Sequence, residues 1–493
     1  MGSWGWRTGM NWISNLFFYS FLVNIGLAVV VVFLERRNVA STWSWLMVLL
    51  FIPLIGFVLY IILGQNLSRR KLYKWHRGML ERVRSRIAAQ TKLLERGELP
   101  LSGTDVRRYR DLMLLNVFTN DALVCGLNDV RIHTEGKAKF DALLACIRAA
   151  RSHIHLQYYT VKNDELGTKI MDALIAKAKQ GVEVRLLYDD IGSRSLKEAF
   201  LKRLKACGGE TAAFFPSRIP YLNYRVNYRN HRKLAIIDGT VGFIGGFNVG
   251  DEYLGKHPKL GFWRDTHLQV SGEVVRMLQA RFVLDWNLAG VRPLEPKLQY
   301  FPELAQSEGR SRVPVQIVAS GPNEEWPHIA YTFLKMIHAA KRTILLQTPY
   351  LIPDESLLNA LKVAALSGIT VKVMIPQKAD HMFVHWASLY YAGELLQAGV
   401  HIYMYEKGFL HAKTLVIDGE VASVGTANFD IRSLRLNFET TALVYDQRTA
   451  QELERIFAAD VQDCSELTPS DYAQRTVRVR FLESISKLVS PIL

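Results

Sequence analysis

Residues 230–253 read NHRKLAIIDGTVGFIGGFNVGDEY, and residues 410–433 read LHAKTLVIDGEVASVGTANFDIRS. Each stretch contains an apolar run, an Asp-Gly pair and a second apolar run, which is typical of two β-strands joined by a tight hairpin turn. The two hairpins lie 180 residues apart, a spacing far too long for a solenoid repeat. The pattern therefore predicts a fold with two similar parts, each built around one hairpin.

The same polar residues recur at the same spacing in both stretches. They are His231, Lys233, Asp238 and Asn248 in the first stretch and His411, Lys413, Asp418 and Asn428 in the second. Each asparagine follows its histidine by 17 residues. One such match would be a weak signal, but a second match at identical spacing indicates a shared chemical task. Purely structural histidines in strands are the less favoured alternative.

Strand geometry separates the members of this set. Residues i and i+2 of a strand point to the same face, so each histidine and its lysine can contact one ligand. Asp238 and Asp418 lie an odd number of residues from their histidines and sit at the turn. We interpret them as mainly structural, although they belong to the recurring catalytic pattern. Asn248 and Asn428 follow small residues and can donate hydrogen bonds to a phosphate.

The recurring side chains suit chemistry at phosphorus if the two hairpins face each other. Neutral imidazole is a competent nucleophile, and a second, protonated imidazole can donate to the leaving oxygen. Two lysines and two amides can hold the charged phosphate oxygens. This set needs no metal and no cofactor. We therefore expect a metal-free transfer or hydrolysis of a phosphodiester.

Each catalytic histidine also needs an acidic partner for its other ring nitrogen. Asp265 in FWRDTHLQV and Glu439 in NFETTALVY lie in equivalent following strands and fit that role. Glu252 and Asp430 are further candidates. Because spacing alone shows no hydrogen bond, the alternative that these are ordinary surface acids stays open.

A different histidine pair argues against a zinc site. His381 and His385 have the i, i+4 spacing of a zinc-binding helix but lack the adjacent glutamate. His381 is therefore better explained as a substrate contact. The four cysteines include no CxxC pair, which favours ordinary reduced or buried thiols.

The sequence around the hairpins is also duplicated. LLACIRAARSHIHLQYY (residues 143–159) aligns with FLKMIHAAKRTILLQTPY (residues 333–350). In both copies predicted helices alternate with apolar strands, which indicates α/β layers. We therefore predict an α/β fold with two duplicated halves, whose mixed sheets are flanked by helices and related by a pseudo-twofold axis.

Two uncharged apolar spans precede the duplication, at residues 13–34 and about 44–63. Each is long enough to cross a bilayer as a helix, and the first has no small-residue cleavage site. The positive-inside rule places the basic segment at residues 69–86 in the cytoplasm. Two interpretations of these charges stay open: they act only as a topological signal, or they also bind anionic headgroups. We predict a two-helix transmembrane hairpin that holds the catalytic halves at the cytoplasmic face.

On these residues, and on the stretches TPYLIPD (348–354) and GFLHAKT (408–414), the chain resembles the phospholipase D superfamily, and in particular bacterial cardiolipin synthases. The resemblance covers essentially the whole chain. It implies an inner-membrane enzyme that joins two phosphatidylglycerol molecules into cardiolipin and releases glycerol through a phosphatidyl-histidine intermediate. It favours His231 as the nucleophile and His411 as the acid and base.

The net charge of +15 favours an anionic partner without choosing its class. A membrane-bound phospholipase D-type hydrolase or, less favoured, a nuclease would use the same histidines. The membrane spans favour lipid over nucleic acid. The predicted organisation is a transmembrane hairpin (1–66), a basic juxtamembrane and linker region (67–130), a first catalytic half (131–290), a linker (291–312) and a second catalytic half (313–493).

Overall fold

Residue contacts divide the chain into a small unit and a large unit. The computed structural model describes residues 15, 18–19, 21–29, 39–52, 56, 60, 77–101, 106–216, 227–290, 292–303 and 312–489. The small unit comprises Met1–Arg69 and Pro216–Tyr228, and the large unit comprises Arg70–Phe215 and Arg229–Leu493.

The described part of the N-terminal segment in the small unit is helical. Residues 21–29 contact helix α1 (Val39–Phe51) through Asn24, whose Nδ2 donates to the carbonyl of Leu49 at 2.8 Å. Both predicted membrane spans, residues 13–34 and 44–63, lie partly outside the described residues. Within the described residues, no helix is both long enough and apolar enough to cross a bilayer.

Helices and strands alternate through the large unit. Its helices are α2 (Arg77–Arg96), α3 (Val106–Asn120), α4 (Gly136–Ala149), α5 (Glu165–Lys179), α6 (Glu198–Lys205), α7 (Val275–Leu288), α8 (His328–Ala339), α9 (Glu355–Leu366), α10 (Met382–Leu396), α11 (Ile431–Arg435), α12 (Gln447–Val461), α13 (Pro469–Ala473) and α14 (Val477–Val489). Its strands are β1 (Val124–Cys125), β2 (Asn128–Glu135), β3 (His153–Tyr158), β4 (Glu183–Asp189), β5 (Glu210–Phe214), β6 (Leu234–Ile237), β7 (Val241–Gly245), β8 (Phe262–Gly272), β9 (Val315–Ser320), β10 (Thr343–Gln347), β11 (Leu351–Ile352), β12 (Thr370–Pro376), β13 (His401–Tyr405), β14 (Gly408–Leu410), β15 (Thr414–Ile417), β16 (Val421–Gly425), β17 (Phe429–Asp430), β18 (Glu439–Val444) and β19 (Cys464–Leu467).

The first sheet is mixed. Its strand order is β14-β8-β7-β6-β3-β4-β5, and β2 also pairs with β8. Strands β3, β4 and β5 run parallel, with α5 and α6 as their connections, whereas β6, β7 and β8 pair antiparallel. Parallel neighbours need such crossover helices because a short turn can join only antiparallel strands.

The second sheet repeats this order. Its spatial order is β1-β9-β18-β16-β15-β10-β12-β13-β19. The seven strands β9-β18-β16-β15-β10-β12-β13 therefore correspond in order to β2-β8-β7-β6-β3-β4-β5 of the first sheet. Its parallel part is again three strands, β10, β12 and β13. The predicted α/β class, with mixed sheets flanked by helices, is confirmed.

Two short strands belong to the sheet formed mainly by the other part of the sequence. Strand β14, late in the chain, pairs in parallel with β8 of the first sheet, with Leu410 opposite Arg264. Strand β1, early in the chain, pairs antiparallel with β9 of the second sheet. The two sheets therefore exchange edge strands, and β14 ends directly before His411.

Helices α2 and α3, from the segment between the apolar spans and the first sheet, pack on the second sheet's core. Tyr109 and Met113 are buried there with Val318 and Phe333. Arg108 of α3 forms ion pairs with Asp418 and Glu420, which flank the turn between β15 and β16. This segment is therefore part of the second sheet's hydrophobic core.

We expect Met113→Ala to lower the free energy of unfolding by about 2–5 kcal/mol, because it leaves a cavity in this core. The matched control is Phe118→Ala on the same helix, where the ring is 61% exposed. That change should cost no more than about 0.5 kcal/mol. Chemical denaturation of the detergent-solubilised chain measures both, and equal losses would contradict this packing role.

Candidate active site

Both predicted hairpins form. Strands β6 and β7 pair antiparallel with Leu234 opposite Ile244, and β15 and β16 pair with Thr414 opposite Val424. Asp238 and Asp418 have φ angles of 51° and 54° at the turns. A left-handed conformation is unusual for a residue with a side chain, but aspartate tolerates it because it can bond to nearby backbone.

The two turn aspartates bind backbone amides away from the histidines. Asp238 accepts hydrogen bonds from the amides of residues 151, 152 and 153, and Asp418 accepts them from residues 341, 342 and 343. Each hairpin turn is thus tied to the start of β3 or β10. A four-residue strand lies between each lysine and its aspartate, which places the two residues about 17 Å apart at the usual rise per residue. The structure does not bring these carboxylates to the histidines.

Each histidine is paired with an acid that lies far away in sequence. The Nδ1 atom of His231 lies 2.8 Å from the Oε1 atom of Glu439. The Nδ1 atom of His411 lies 2.6 Å from the Oδ2 atom of Asp265. Both carboxylates are fully buried. A carboxylate acceptor requires a proton on Nδ1, which leaves Nε2 as the free lone pair of each ring.

Backbone pairing between the sheets explains this crossed arrangement. The amide of His231 donates to the carbonyl of Phe438 at 3.0 Å, and the amide of His411 donates to the carbonyl of Arg264 at 2.7 Å. Phe438 and Arg264 directly precede the two acids. Each histidine is thus hydrogen-bonded through its backbone amide to the residue that precedes its acid. This backbone contact with the opposite sheet places the imidazole beside the carboxylate.

Two buried arginines fix the backbone of the acids. Arg232 donates through Nε to the carbonyl of Glu439 at 3.0 Å, and its Nη1 contacts both oxygens of Asp285 at 2.6 Å. Arg264 donates to the carbonyl of Asp265 and pairs with Asp460. The sequence patterns did not indicate these arginines. The two occupy non-equivalent positions, because Arg232 follows one histidine whereas Arg264 precedes the opposite acid.

The lysines lie beside the histidines and are buried. The Nζ of Lys233 donates to the carbonyl of His231 at 2.6 Å, and that of Lys413 lies 2.9 Å from Nδ1 of His411. Burial lowers the pKa of Lys413 to about 8 and that of Lys233 well below its ordinary value. A negatively charged ligand would therefore stabilise the protonated form of both lysines.

Both histidines are neutral near pH 7. Burial is the largest cause, and neighbouring lysines add to it, so the pKa of His231 and that of His411 both fall to about 4. Burial would raise the pKa of Glu439, but the adjacent His231 and Lys233 hold it below its usual range. Neutral imidazoles next to ionised carboxylates can attack or accept protons at Nε2.

The remaining predicted residues divide into two groups. Asn248 and Asn428 line the same cavity as the histidines, and their Nδ2 atoms contact Tyr253 and Asp430. Asp430 lines it too, and its carboxylate accepts the amide of Ser433 at the start of α11. Glu252 does not meet the expectation that it orients a histidine. Its carboxylate pairs with Lys162 at 2.7 Å, because it lies on a 3-10 turn beside that lysine.

The cavity between the two hairpins has a volume of about 330 Å³. Besides the histidines and asparagines, its lining includes Tyr159, Arg229, Tyr253, Trp263, Tyr350, Asp380, His381 and Arg432. His381 thus lines the same cavity as His231 and His411, and its contact with substrate stays a prediction. In the described part of the chain, no cluster of histidine, cysteine and acidic residues has the composition and geometry of a metal site.

Comparison with protein families identifies the relatives of this chain. The model described as "Cardiolipin synthase, PLD-like domain" matches twice, at residues 143–286 and 333–461. A second model, "Phospholipase_D-nuclease N-terminal", matches residues 22–65. The two matches of the first model each contain one of the histidine hairpins.

Individual proteins agree with these matches. The chain is 49% identical over 474 residues to a cardiolipin synthase of Oceanobacillus iheyensis, covering 96% of this chain and 98% of that one. It is equally identical, with the same coverage, to the major cardiolipin synthase ClsA of Bacillus subtilis. Identity to a cardiolipin synthase of Listeria innocua is 48% over 485 residues, covering 98% of this chain and all of that one.

A solved structure shares the fold at low sequence identity. The crystal structure of phosphatidylserine synthase from Haemophilus influenzae Rd KW20 superimposes with a TM-score of 0.59 at 16% identity, covering 78% of this chain and all of that chain. Since the family model covers more than half of the chain and the relatives span nearly all of it, this chain belongs to the cardiolipin synthase family with phospholipase D-like domains.

Proposed function

We propose that this chain is a cardiolipin synthase that transfers the phosphatidyl group of one phosphatidylglycerol to another and releases glycerol. The observation that carries the proposal is the pair of neutral, acid-bound histidines facing one cavity. The chain is 48–49% identical, over 96–98% of its length, to proteins named cardiolipin synthase, which supports the substrate class. The buried lysines support an anionic, phosphate-bearing substrate.

In the proposed first step, Nε2 of His231 attacks the phosphorus of the donor lipid. The bond between phosphorus and the glycerol headgroup oxygen breaks, and His411 gives that oxygen a proton. The anionic phosphodiester raises the pKa of His411 from its value of about 4, because an opposite charge favours the protonated ring. Glu439 holds the Nδ1 proton of His231 and stabilises the positive charge that the ring gains on phosphorylation.

The second step transfers the phosphatidyl group to the acceptor. The headgroup hydroxyl of a second phosphatidylglycerol gives its proton to His411 and attacks the phosphorus. The phosphorus–nitrogen bond then breaks and His231 returns to the neutral imidazole. Lys233, Lys413, Asn248 and Asn428 hold the phosphate oxygens in both steps. We assign the nucleophile to His231 on the family precedent, since the two histidines have similar surroundings.

The proposal includes the organisation of the chain. We propose that residues 131–290 and 313–493 are duplicated halves related by a pseudo-twofold axis. The repeated strand order and the two family-model matches support this. We further propose that residues 1–66 form a transmembrane hairpin and that the catalytic halves lie at the cytoplasmic face of the inner membrane. Residues 291–312 are the proposed linker between the halves. Residues 67–130 are the proposed basic juxtamembrane and linker region, and its helices α2 and α3 pack on the second sheet's core. The apolar sequence of the two spans supports the anchor.

Purified protein should convert labelled phosphatidylglycerol in vesicles into cardiolipin and glycerol. The matched control is His411→Asn, which should lower turnover by about 10²–10⁴-fold because it removes the acid and base. Thin-layer chromatography or mass spectrometry separates the products. Phosphatidic acid without cardiolipin would identify a hydrolase and contradict the transferase proposal.

Glu439→Gln should lower kcat by about 10²–10⁴-fold, because a neutral amide neither favours the required Nδ1 proton nor stabilises the charged ring. Glu252→Gln is the matched control. Its carboxylate pairs with Lys162 rather than a histidine, so kcat should change only about twofold. The same vesicle assay measures both variants. A comparable loss in both would refute the specific role of Glu439.

The pH profile of kcat/KM should have two limbs. Activity should fall as the pH drops through about 4, where His231, the proposed nucleophile, becomes protonated. It should also fall as the pH rises through about 8, where Lys413 loses its charge. Lys413→Arg keeps a positive charge at high pH and should move the basic limb upward. An unchanged basic limb in that variant would exclude Lys413 as its source.

A further inference from the structure

The C-terminal helix α14 exposes four apolar side chains, whereas Val479 and Leu482 are half-buried. Its exposed residues include Val477 (83% exposed), Phe481 (63%), Ile485 (38%) and Leu488 (74%). The residues buried against the protein include Glu483 (2%) and Ser486 (1%). A surface helix in water normally shows the opposite arrangement, with its apolar stripe toward the core. This stripe therefore indicates a non-aqueous environment.

The exposed side chains form one continuous stripe. They recur at intervals of four, four and three residues. At 3.6 residues per turn, this spacing confines them to an arc of roughly 80°. Cations border the arc on both sides, with Arg478 on one and Arg480 and Lys487 on the other. An apolar stripe between basic residues is typical of a helix that lies in the interface of an anionic bilayer.

Packing connects this helix to the catalytic cavity. Lys487 donates to the hydroxyl of Tyr390 on α10 at 2.7 Å, and its Nζ lies 4.2 Å from the centre of that ring. Val384, in the first turn of α10, lines the cavity. His381, the residue directly before α10, lines it as well. Tyr390 is nine residues beyond His381, about 13 Å along a helix. Between them, Met382 and Phe383 are 59% and 55% exposed.

We propose that α14 is an interfacial helix that lies in the surface of a bilayer containing anionic lipid. The apolar stripe enters the acyl boundary, and the flanking cations contact the headgroups. Met382 and Phe383 add apolar surface beside the cavity mouth. The arrangement rests on the proposed lipid substrate, since it keeps the cavity close to the headgroup layer where the scissile phosphodiester lies. The occupant of the stripe is the membrane and not another protein chain.

Tryptophan quenching tests where the stripe lies. The full chain carrying Phe481→Trp is reconstituted into vesicles of phosphatidylglycerol and phosphatidylcholine with brominated acyl chains, and wild-type emission is subtracted. We expect roughly twofold quenching of the added tryptophan relative to unbrominated vesicles, because interfacial helices bury their apolar face in the acyl boundary. The matched control is Leu298→Trp, an 81% exposed position in a turn whose neighbour Lys297 pairs with Glu183.

Quenching of Phe481→Trp no greater than that of Leu298→Trp would overturn the proposal. So would intermolecular cross-linking through Ile485→Cys together with unquenched emission, since a second copy would then cover the stripe. Quenching requires no turnover. A wild-type protein that makes no cardiolipin in the same vesicles would contradict the proposed function while leaving the location of the helix as measured.

Kinetics give an independent measurement. Phe481→Asp combined with Leu488→Asp should raise KM for vesicle lipid by roughly tenfold and leave kcat unchanged, because membrane contact is weakened while the cavity is intact. Both positions are exposed, so the substitutions place no charge in the core. Leu298→Asp should leave both constants unchanged. An unaltered KM in the double variant would refute the role of the stripe.

Discussion

The crossed contact between each histidine and an acid from the opposite sheet is the constraint on which the rest of the site depends. His231 meets Glu439, and His411 meets Asp265. Neither sheet alone completes a histidine–carboxylate pair, so the catalytic arrangement exists only when both are docked. Removing either imidazole from the docked sheets would leave a buried carboxylate without its partner, which is strongly unfavourable. The interface is therefore needed for both stability and chemistry.

Burial disfavours the charged forms of the basic groups in the site, and an anionic substrate offsets that penalty. The lysines and histidines are all buried, and their pKa values are lowered mainly for that reason. An anionic phosphodiester makes the charged forms of the same groups more favourable. In the proposed mechanism, substrate binding thus prepares the acid that protonates the leaving glycerol. The carboxylates determine which ring nitrogen reacts, because they hold the proton on Nδ1 and leave Nε2 to gain a proton or to attack.

The sequence was sufficient to locate most of this site but not its connectivity. Strand periodicity and duplicate spacing correctly placed both histidine hairpins, and equivalent strands indicated Asp265 and Glu439. The crossing depends on β14 pairing with β8, a contact between residues about 150 apart that local patterns do not reveal. Glu252 was a candidate to orient a histidine because it is acidic and follows the first motif, yet its carboxylate pairs with the nearby Lys162. Arg232 and Arg264 escaped notice because their partners come from distant elements.

Lipid chemistry explains why such a site is combined with an inverted surface helix. The acyl chains of both substrates favour the bilayer, while the reacting phosphorus must reach two buried imidazoles. Complete extraction of a lipid would expose its acyl chains to water at a cost of about 0.8 kcal/mol per methylene group. A cavity held at the headgroup layer avoids most of that cost, because only the polar part must move. The outward apolar stripe of α14, unfavourable in water, becomes favourable at the surface where this chemistry takes place.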